Sequence, residues 1–268
     1  MIKAVIFDWA GTTVDFGSRA PMGAFVRLFE RYGMEITIED ARRPMGINKW
    51  NHIDELLHFP HIQSQWLKNK GRMPTAADVD EMLAEFTPMN KRSIRECAEL
   101  IPGTREVVAL LRARGVRIGA TTGYTRELVD VLMPLAHEQG YAPDVCVCAG
   151  ETPEGRPSAQ MVARCAELLG VPDPVQVVKV DDTVPGLMEG KNFGCWTVGV
   201  SDSGNAMGLS CEQYWELSDD ERKRRHTSAV AELEQCQPHF VIDSVEALIP
   251  VIDTINDRLE KRKVSEAA

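Results

Sequence analysis

Lys3-Ala-Val-Ile-Phe-Asp-Trp-Ala-Gly-Thr-Thr13 begins as a short apolar run with β-branched character and stops at an aspartate followed by a glycine-containing turn. Such a run, bounded by turn residues, reads as a parallel strand buried on both faces over residues 3–7, with Asp8 just past its end. Similar runs recur at 116–121, 144–148, 175–180 and 195–200, with a further candidate at 239–242. Helical patterns separate them at 104–114, 125–138, 158–169 and 184–192. Strand and helix in alternation predict an α/β fold built on a doubly wound parallel sheet. Ligands of such sheets bind beyond the carboxyl ends of the strands.

One stretch breaks the alternation. Between the first strand and the run at 116 lie about a hundred residues, far more than a connection needs. Most of 19–98 is helical in pattern, Gly17-Ser18 leads into it, and Ile101-Pro102-Gly103-Thr104 closes it and starts the next helix. The expected organisation is therefore a core of residues 1–18 and 99–268 with a helical domain of 19–98 inserted in it. The charged tail, 255–268, is expected to fray.

The 268 residues carry a formal net charge of -10, which argues against nucleic acid or an anionic membrane as a main partner. An anionic substrate must then be drawn in by a local cluster of positive groups. The seven cysteines include no CxxC pair and sit mostly in apolar stretches, the pattern of buried thiols in a reducing cytoplasm rather than of structural zinc. The N-terminus reads as a strand rather than a signal peptide, and no apolar run reaches membrane-spanning length. A cytoplasmic location is expected.

Four strand ends carry chemistry. Asp8 is followed by Trp9-Ala10-Gly11-Thr12-Thr13, a turn whose backbone N–H groups can bind phosphoryl oxygens while the carboxylate acts as nucleophile. Thr122-Gly123 offers a hydroxyl and amides for the same oxygens. Arg156-Pro157 offers a guanidinium that pairs with phosphate in a bidentate fork. Asp181-Asp182-Thr183 supplies hard oxygen ligands for Mg²⁺. Each alone has a bland reading, as turn aspartate, helix cap, surface charge or loop pair. All four fall in order at one edge of a parallel sheet.

The order Asp8-x-Ala10-Gly11-Thr12, Thr122-Gly123, Arg156-Pro157, Asp182-Thr183 resembles the haloacid dehalogenase superfamily over essentially the whole chain. The resemblance implies a Rossmann-like core with an inserted helical cap, a phosphorylated Asp8, and Mg²⁺ bound by the Asp8 carboxylate, the Ala10 carbonyl and Asp182. It also implies that Gly11, Thr12, Thr122, Gly123 and Arg156 hold the phosphoryl group. Two departures stand out. Phosphatases of the superfamily carry a second aspartate two residues after the nucleophile, as acid for an alkoxide leaving group, and this chain has Ala10. A late Gly-Asp-x-x-x-Asp pattern becomes Asp181-Asp182-Thr-Val-Pro-Gly186, so its final acid is missing, and Asp181 is expected to compensate behind the direct metal ligands.

Met45-Gly46-Ile47-Asn48-Lys49-Trp50-Asn51-His52 falls in the insertion, at a helix start. On a helix, Met45, Lys49 and His52 share a face, and a lysine among apolar neighbours is pushed toward its neutral, nucleophilic form. A solvated helix lysine and a core histidine are the bland alternatives. Met45-Gly46-x-x-Lys49-x-x-His52, taken with Ala10, is similar to the cap motif of the phosphonatase branch. That resemblance implies hydrolysis of phosphonoacetaldehyde to acetaldehyde and phosphate in 2-aminoethylphosphonate degradation, through a Lys49 Schiff base and a phospho-Asp8. His52 and Met45 would assist, and a homodimer would form through the cap; Trp66 is a candidate for that contact or for the cap's own core, which periodicity does not separate. The rivals are a phosphatase or phosphomutase acting on a small phosphate ester, and a non-catalytic phospho-acceptor module. A dinucleotide-binding fold lacks its GxGxxG. The basic run 221–226 reads as a solvated face.

Overall fold

The computed structural model describes residues 1–266. Six parallel strands form one sheet: β1 (Ala4–Phe7), β2 (Arg117–Thr122), β3 (Val145–Cys148), β4 (Val177–Asp181), β5 (Trp196–Val200) and β6 (Phe240–Ile242), in spatial order β3-β2-β1-β4-β5-β6. The predicted runs lie within a residue or two of these bounds. The largest offset is at β4, where Pro174–Gln176 turns as a short 3₁₀ helix before the strand begins.

β1 sits at the centre, paired with β2 and β4, and all four of its residues are buried. Successive side chains point to opposite faces. Val5 and Phe7 join a cluster with α6 (Thr104–Ala113), α7 (Arg126–Glu138) and α12 (Leu248–Glu266). Ala4 and Ile6 pack with α8 (Gln160–Leu168). With both faces covered, the strand has no polar side to show, which is why it reads as an unbroken apolar run. Of the expected fraying tail, the part up to Leu259 is held, because Ile255 and Leu259 of α12 belong to the first cluster. Residues 267–268 of the expected fraying tail lie outside the described residues.

The insertion between β1 and β2 is made of α1 (Arg19–Arg31), α2 (Ile38–Arg42), α3 (Lys49–Leu57), α4 (Pro60–Lys70) and α5 (Ala76–Glu96). It has its own apolar core, in which Phe25, Leu28, Ile53, Leu56, Trp66 and Phe86 are fully or almost fully buried. Trp66, which the sequence leaves open between a surface for a second copy and the insertion's core, is only 1% exposed and belongs to the interior. Two linkers lying side by side join insertion to core. The Asp15 N–H donates to the Glu99 carbonyl, and the Ile101 N–H donates to the Thr13 carbonyl. The Asp15 carboxylate accepts from the backbone N–H groups of Arg19 and Ala20, so it caps the first helix.

Between β5 and β6 lie α10 (Cys211–Glu216) and α11 (Asp219–Glu234), with α9 (Val184–Phe193) between β4 and β5. The basic run falls on α11. Its Arg224 and Arg225 pair with Glu221, while Arg222 stacks over Tyr214 and Trp215. Among the described residues no helix is long and apolar enough to cross a membrane.

Candidate active site

The carboxyl ends of β1, β2 and β4 meet the start of α3 around a small cavity. Its lining includes Asp8, Ala10, Met45, Lys49, Thr122 and Arg156, contributed by core and insertion together. Tyr124, Ser18, Pro21 and Thr183 line it as well.

Asp8 is held by its backbone and by a cation. Its N–H continues the sheet by donating to the Val180 carbonyl at 2.9 Å, and Arg156 Nη2 donates to its Oδ1 at 2.7 Å. Burial raises its pKa to about 6, against the pull of Arg156. The loop that follows depends on Gly11. Its φ is +84°, and a Cβ there would sit 2.1 Å from Asp182 Oδ2, so no larger residue lets Asp182 come so near.

Two expected phosphate contacts are corrected by this loop. The Gly11 N–H is already given to the Val14 and Asp15 carbonyls, and the Thr12 N–H to the Trp9 carbonyl. The Thr12 hydroxyl donates to Asp182 Oδ1 at 3.2 Å. Gly11 and Thr12 therefore shape the loop and brace Asp182; neither lines the cavity. Thr122 and Gly123 do line it. At Gly123 a Cβ would come within 2.6 Å of the Ile47 carbonyl oxygen, which shows how closely the insertion lies over this loop.

Beneath the cavity is a network whose extent the sequence does not announce. Arg156 Nε donates to Glu189 Oε2 at 3.0 Å, and Arg156 Nη2 also lies 3.1 Å from Asp181 Oδ2. Lys179 Nζ is 2.9 Å from Asp181 Oδ2 and donates to Thr121 Oγ1 at 2.9 Å. Arg156, Lys179, Asp181 and Glu189 are at most 5% exposed. A buried charge persists only when paired, and these four pair with one another. Sequence reading found Arg156 and Asp181 but passed over Lys179 and Glu189. The one available signal was a lysine inside the otherwise apolar run Val-Gln-Val-Val-Lys-Val.

Asp8, Asp181 and Asp182 bring one carboxylate oxygen each within 4.8 Å of one another. Asp182 has its pKa raised well above the carboxylate range, first by burial and then by Asp8 and Asp181. Three buried hard oxygen donors that repel one another fit a divalent cation, which relieves the repulsion. Asp181 itself is lowered: burial opposes ionisation, but Arg156 and Lys179 outweigh it.

Lys49 opens α3, whose first turn is capped by the Asn48 side chain accepting from the Asn51 N–H. It is 4% exposed, and among the described residues no carboxylate lies within ion-pair distance of its Nζ. Met45 Sδ is 3.8 Å away, and the Tyr124 and Phe25 rings face it at 5.3 and 5.7 Å. Burial lowers its pKa to about 8, partly offset by Asp8. His52 is fully buried behind it, stacked on Phe25 with ring centres 3.9 Å apart, and does not line the cavity. Its Nε2 meets the Ala41 carbonyl at 2.8 Å, so Nε2 carries the proton and Nδ1 is an acceptor, with no partner among the described residues. Burial, then Lys49, holds its pKa well below the usual histidine value.

Comparison with known proteins agrees with this geometry. Residues 2–194 match the family model described as a haloacid dehalogenase-like hydrolase. The chain is 46% identical over 260 residues to a phosphonoacetaldehyde hydrolase of Paraburkholderia xenovorans, covering 97% of each protein. It is 42% identical to one of Vibrio cholerae, covering 96% of each. The crystal structure of a phosphonoacetaldehyde hydrolase-like protein from Oleispira antarctica superposes with a TM-score of 0.95 at 41% identity, covering 97% of this chain and 94% of that one. A sheet of six parallel strands, a buried aspartate just past the central one and near full-length identity of this order leave one assignment: the chain belongs to the phosphonoacetaldehyde hydrolase family of haloacid dehalogenase-like hydrolases.

Proposed function

We propose that this chain hydrolyses the carbon–phosphorus bond of phosphonoacetaldehyde, releasing acetaldehyde and phosphate, as a step in 2-aminoethylphosphonate breakdown. One observation carries the mechanism. A desolvated amine, Lys49, and a carboxylate, Asp8, line the same small cavity, with a methyl group, Ala10, beside them and, among the described residues, no second carboxyl group in the lining to protonate a departing alkoxide.

Lys49, neutral in part near its pKa of about 8, adds to the aldehyde carbon; with uptake of one proton, water leaves and a protonated imine remains. Asp8 then attacks phosphorus. The P–C bond breaks with its electron pair moving into the imine, which gives an enamine on Lys49 and phospho-Asp8. No proton donor is needed for this leaving group, which accounts for Ala10. Water attacks the phosphorus of phospho-Asp8, freeing phosphate and restoring the carboxylate. The enamine takes a proton at carbon, and hydrolysis of the resulting imine frees acetaldehyde and Lys49.

Arg156 holds Asp8 in line and, with the Thr122 hydroxyl and backbone near Gly123, meets the phosphonate oxygens. Tyr124 and Met45 wall the amine, and His52 keeps a neutral ring behind it, offering Nδ1 as an acceptor without adding charge. Asp8, Asp182 and the Ala10 carbonyl would hold Mg²⁺, with Asp181 behind them; bound there it supplies positive charge against the repulsion between carboxylate and dianion.

The division into a core of 1–18 and 99–268 and a cap of 19–98 belongs to this reading. The cap bears Lys49 and the core bears Asp8, so closure assembles the site and shields the enamine. A cytoplasmic homodimer through the cap completes it; Leu67 and Met73, half-exposed on the cap, are candidate contacts. The test is acetaldehyde release from phosphonoacetaldehyde with and without Mg²⁺, beside phosphate release from a panel of phosphate esters. Mg²⁺-dependent acetaldehyde release with weak ester turnover is expected; efficient ester hydrolysis without acetaldehyde would sink the proposal.

A further inference from the structure

Past Val200, where β5 ends, the chain runs through Ser201-Asp-Ser-Gly-Asn205 without regular structure. All five residues are buried, although irregular polar segments ordinarily lie on the surface. Their contacts account for the burial, because they reach several separate parts of the molecule. Ser203 Oγ donates to the Gly11 carbonyl in the loop after β1 at 3.0 Å, and the Ser203 carbonyl accepts from the Gly17 N–H of the first linker at 2.7 Å. The Asn205 N–H donates to Asp182 Oδ2 at 2.7 Å. Gly204 lets the segment come this near: a Cβ there would stand 2.8 Å from Asp182 Cβ and 2.6 Å from the Val200 carbonyl oxygen.

The same segment meets the insertion. Arg42 closes α2, and its carbonyl accepts from Asn205 Nδ2 at 3.4 Å, while its Nη2 donates to the Gly208 carbonyl at 3.1 Å. Gly208 has a φ of +62°, and a Cβ on it would overlap the Arg42 guanidinium, so the segment is shaped as a seat for that side chain. Asn205 thus holds a core carboxylate with its main chain and the insertion with its side chain.

We propose that residues 203–208 couple the seating of the insertion to the carboxylate cluster, with Arg42 and Asn205 as positioning residues. Seated, Arg42 fixes the segment at Asn205 and Gly208, and Asn205 fixes the Asp182 oxygen. Lifted, the insertion releases the segment and with it the orientation of Asp182. This rests on the proposed cap and the proposed Mg²⁺ site, and it names the link between them.

Such coupling is reciprocal, so it can be read from both ends in the substrate-free protein. Mg²⁺ affinity is measured by calorimetry. Opening of the insertion is measured by the rate at which an amine reagent labels Lys49, which is 4% exposed, with the label located by peptide mass spectrometry. Arg42→Met should weaken Mg²⁺ binding about fivefold or more, the lower end of couplings between sites. Charge alone predicts the opposite, since removing a cation near an acidic cluster favours Mg²⁺. Arg42→Lys, which keeps a donor, should recover part of the loss, and Asn205→Ala should reproduce it. The two changes combined should weaken binding no further than the larger single one, because both act through one path. Mg²⁺ should also slow Lys49 labelling in the wild type, and do so less in Arg42→Met and Asn205→Ala. Unchanged or tighter Mg²⁺ binding in Arg42→Met, or labelling equally sensitive to Mg²⁺ in all three proteins, overturns the coupling. Should Arg42→Met fail to fold, Asn205→Ala carries the same two readings. A wild type that bound no Mg²⁺ would sink the metal reading instead. The seating role would then be decided by labelling alone: faster in both variants supports it, unchanged in both overturns it.

Discussion

At the scale of single residues, the decisive group is Lys49, because its surroundings set its chemistry. Burial lowers its pKa from 10.5 to about 8. The rate of imine formation should therefore climb roughly tenfold per pH unit below pH 8 and level off above it, as the neutral amine accumulates. Stopped reactions trapped with borohydride at a series of pH values check this, and a flat profile would contradict it. The same shift has a cost in stability. Between about 8 and 10.5 the unfolded chain keeps a proton that the folded chain has lost, so stability from this group rises with pH across that window. Lys49→Met should accordingly raise the urea midpoint over wild type at pH 7, with the advantage shrinking toward pH 10.

At the scale of elements, β1 and its loop were legible while the floor of the site was not. β1 is buried on both faces, so its apolar run and the aspartate at its end survive any tertiary context. Asp8, Thr122, Arg156 and Asp182 could be ordered along one sheet edge because parallel topology puts every carboxyl end on one side. Glu189 could not be found this way. It stands on α9, eight residues past Asp181 at the end of β4, and meets Arg156 and Thr121 only through packing across elements. Gly11 and Thr12 were misjudged for a related reason: sequence shows that a turn has N–H groups, but not that Val14, Asp15 and Trp9 have claimed them. Removing Glu189 leaves Arg156 and Lys179 short of a buried counter-charge. Glu189→Ala should cost about 3–5 kcal/mol in urea unfolding, whereas a loss under 1 kcal/mol would mean that the network is replaceable.

At the scale of the whole molecule, function is divided between two hydrophobic cores, one behind Asp8 and the other behind Lys49. In the proposed mechanism neither half holds a complete site, so their fit across the seam should decide activity. Gly123, 2.6 Å by its virtual Cβ from the Ile47 carbonyl, is one of the places where backbone of the two halves meets closely. Gly123→Ala should push the halves apart by a fraction of an ångström and cut kcat/KM by as much as about 100-fold, with the circular dichroism and melting curve nearly unchanged. Unimpaired kcat/KM would show that the seam is looser than this account requires. The central claim is that Lys49 and Asp8 act on one molecule, the first holding its carbon and the second taking its phosphorus. Borohydride added during turnover of phosphonoacetaldehyde, followed by peptide mass spectrometry, tests it directly. An ethyl group fixed to Lys49 with loss of activity is the predicted result; undiminished acetaldehyde release with Lys49 unmodified, or from a Lys49→Arg protein, would contradict it.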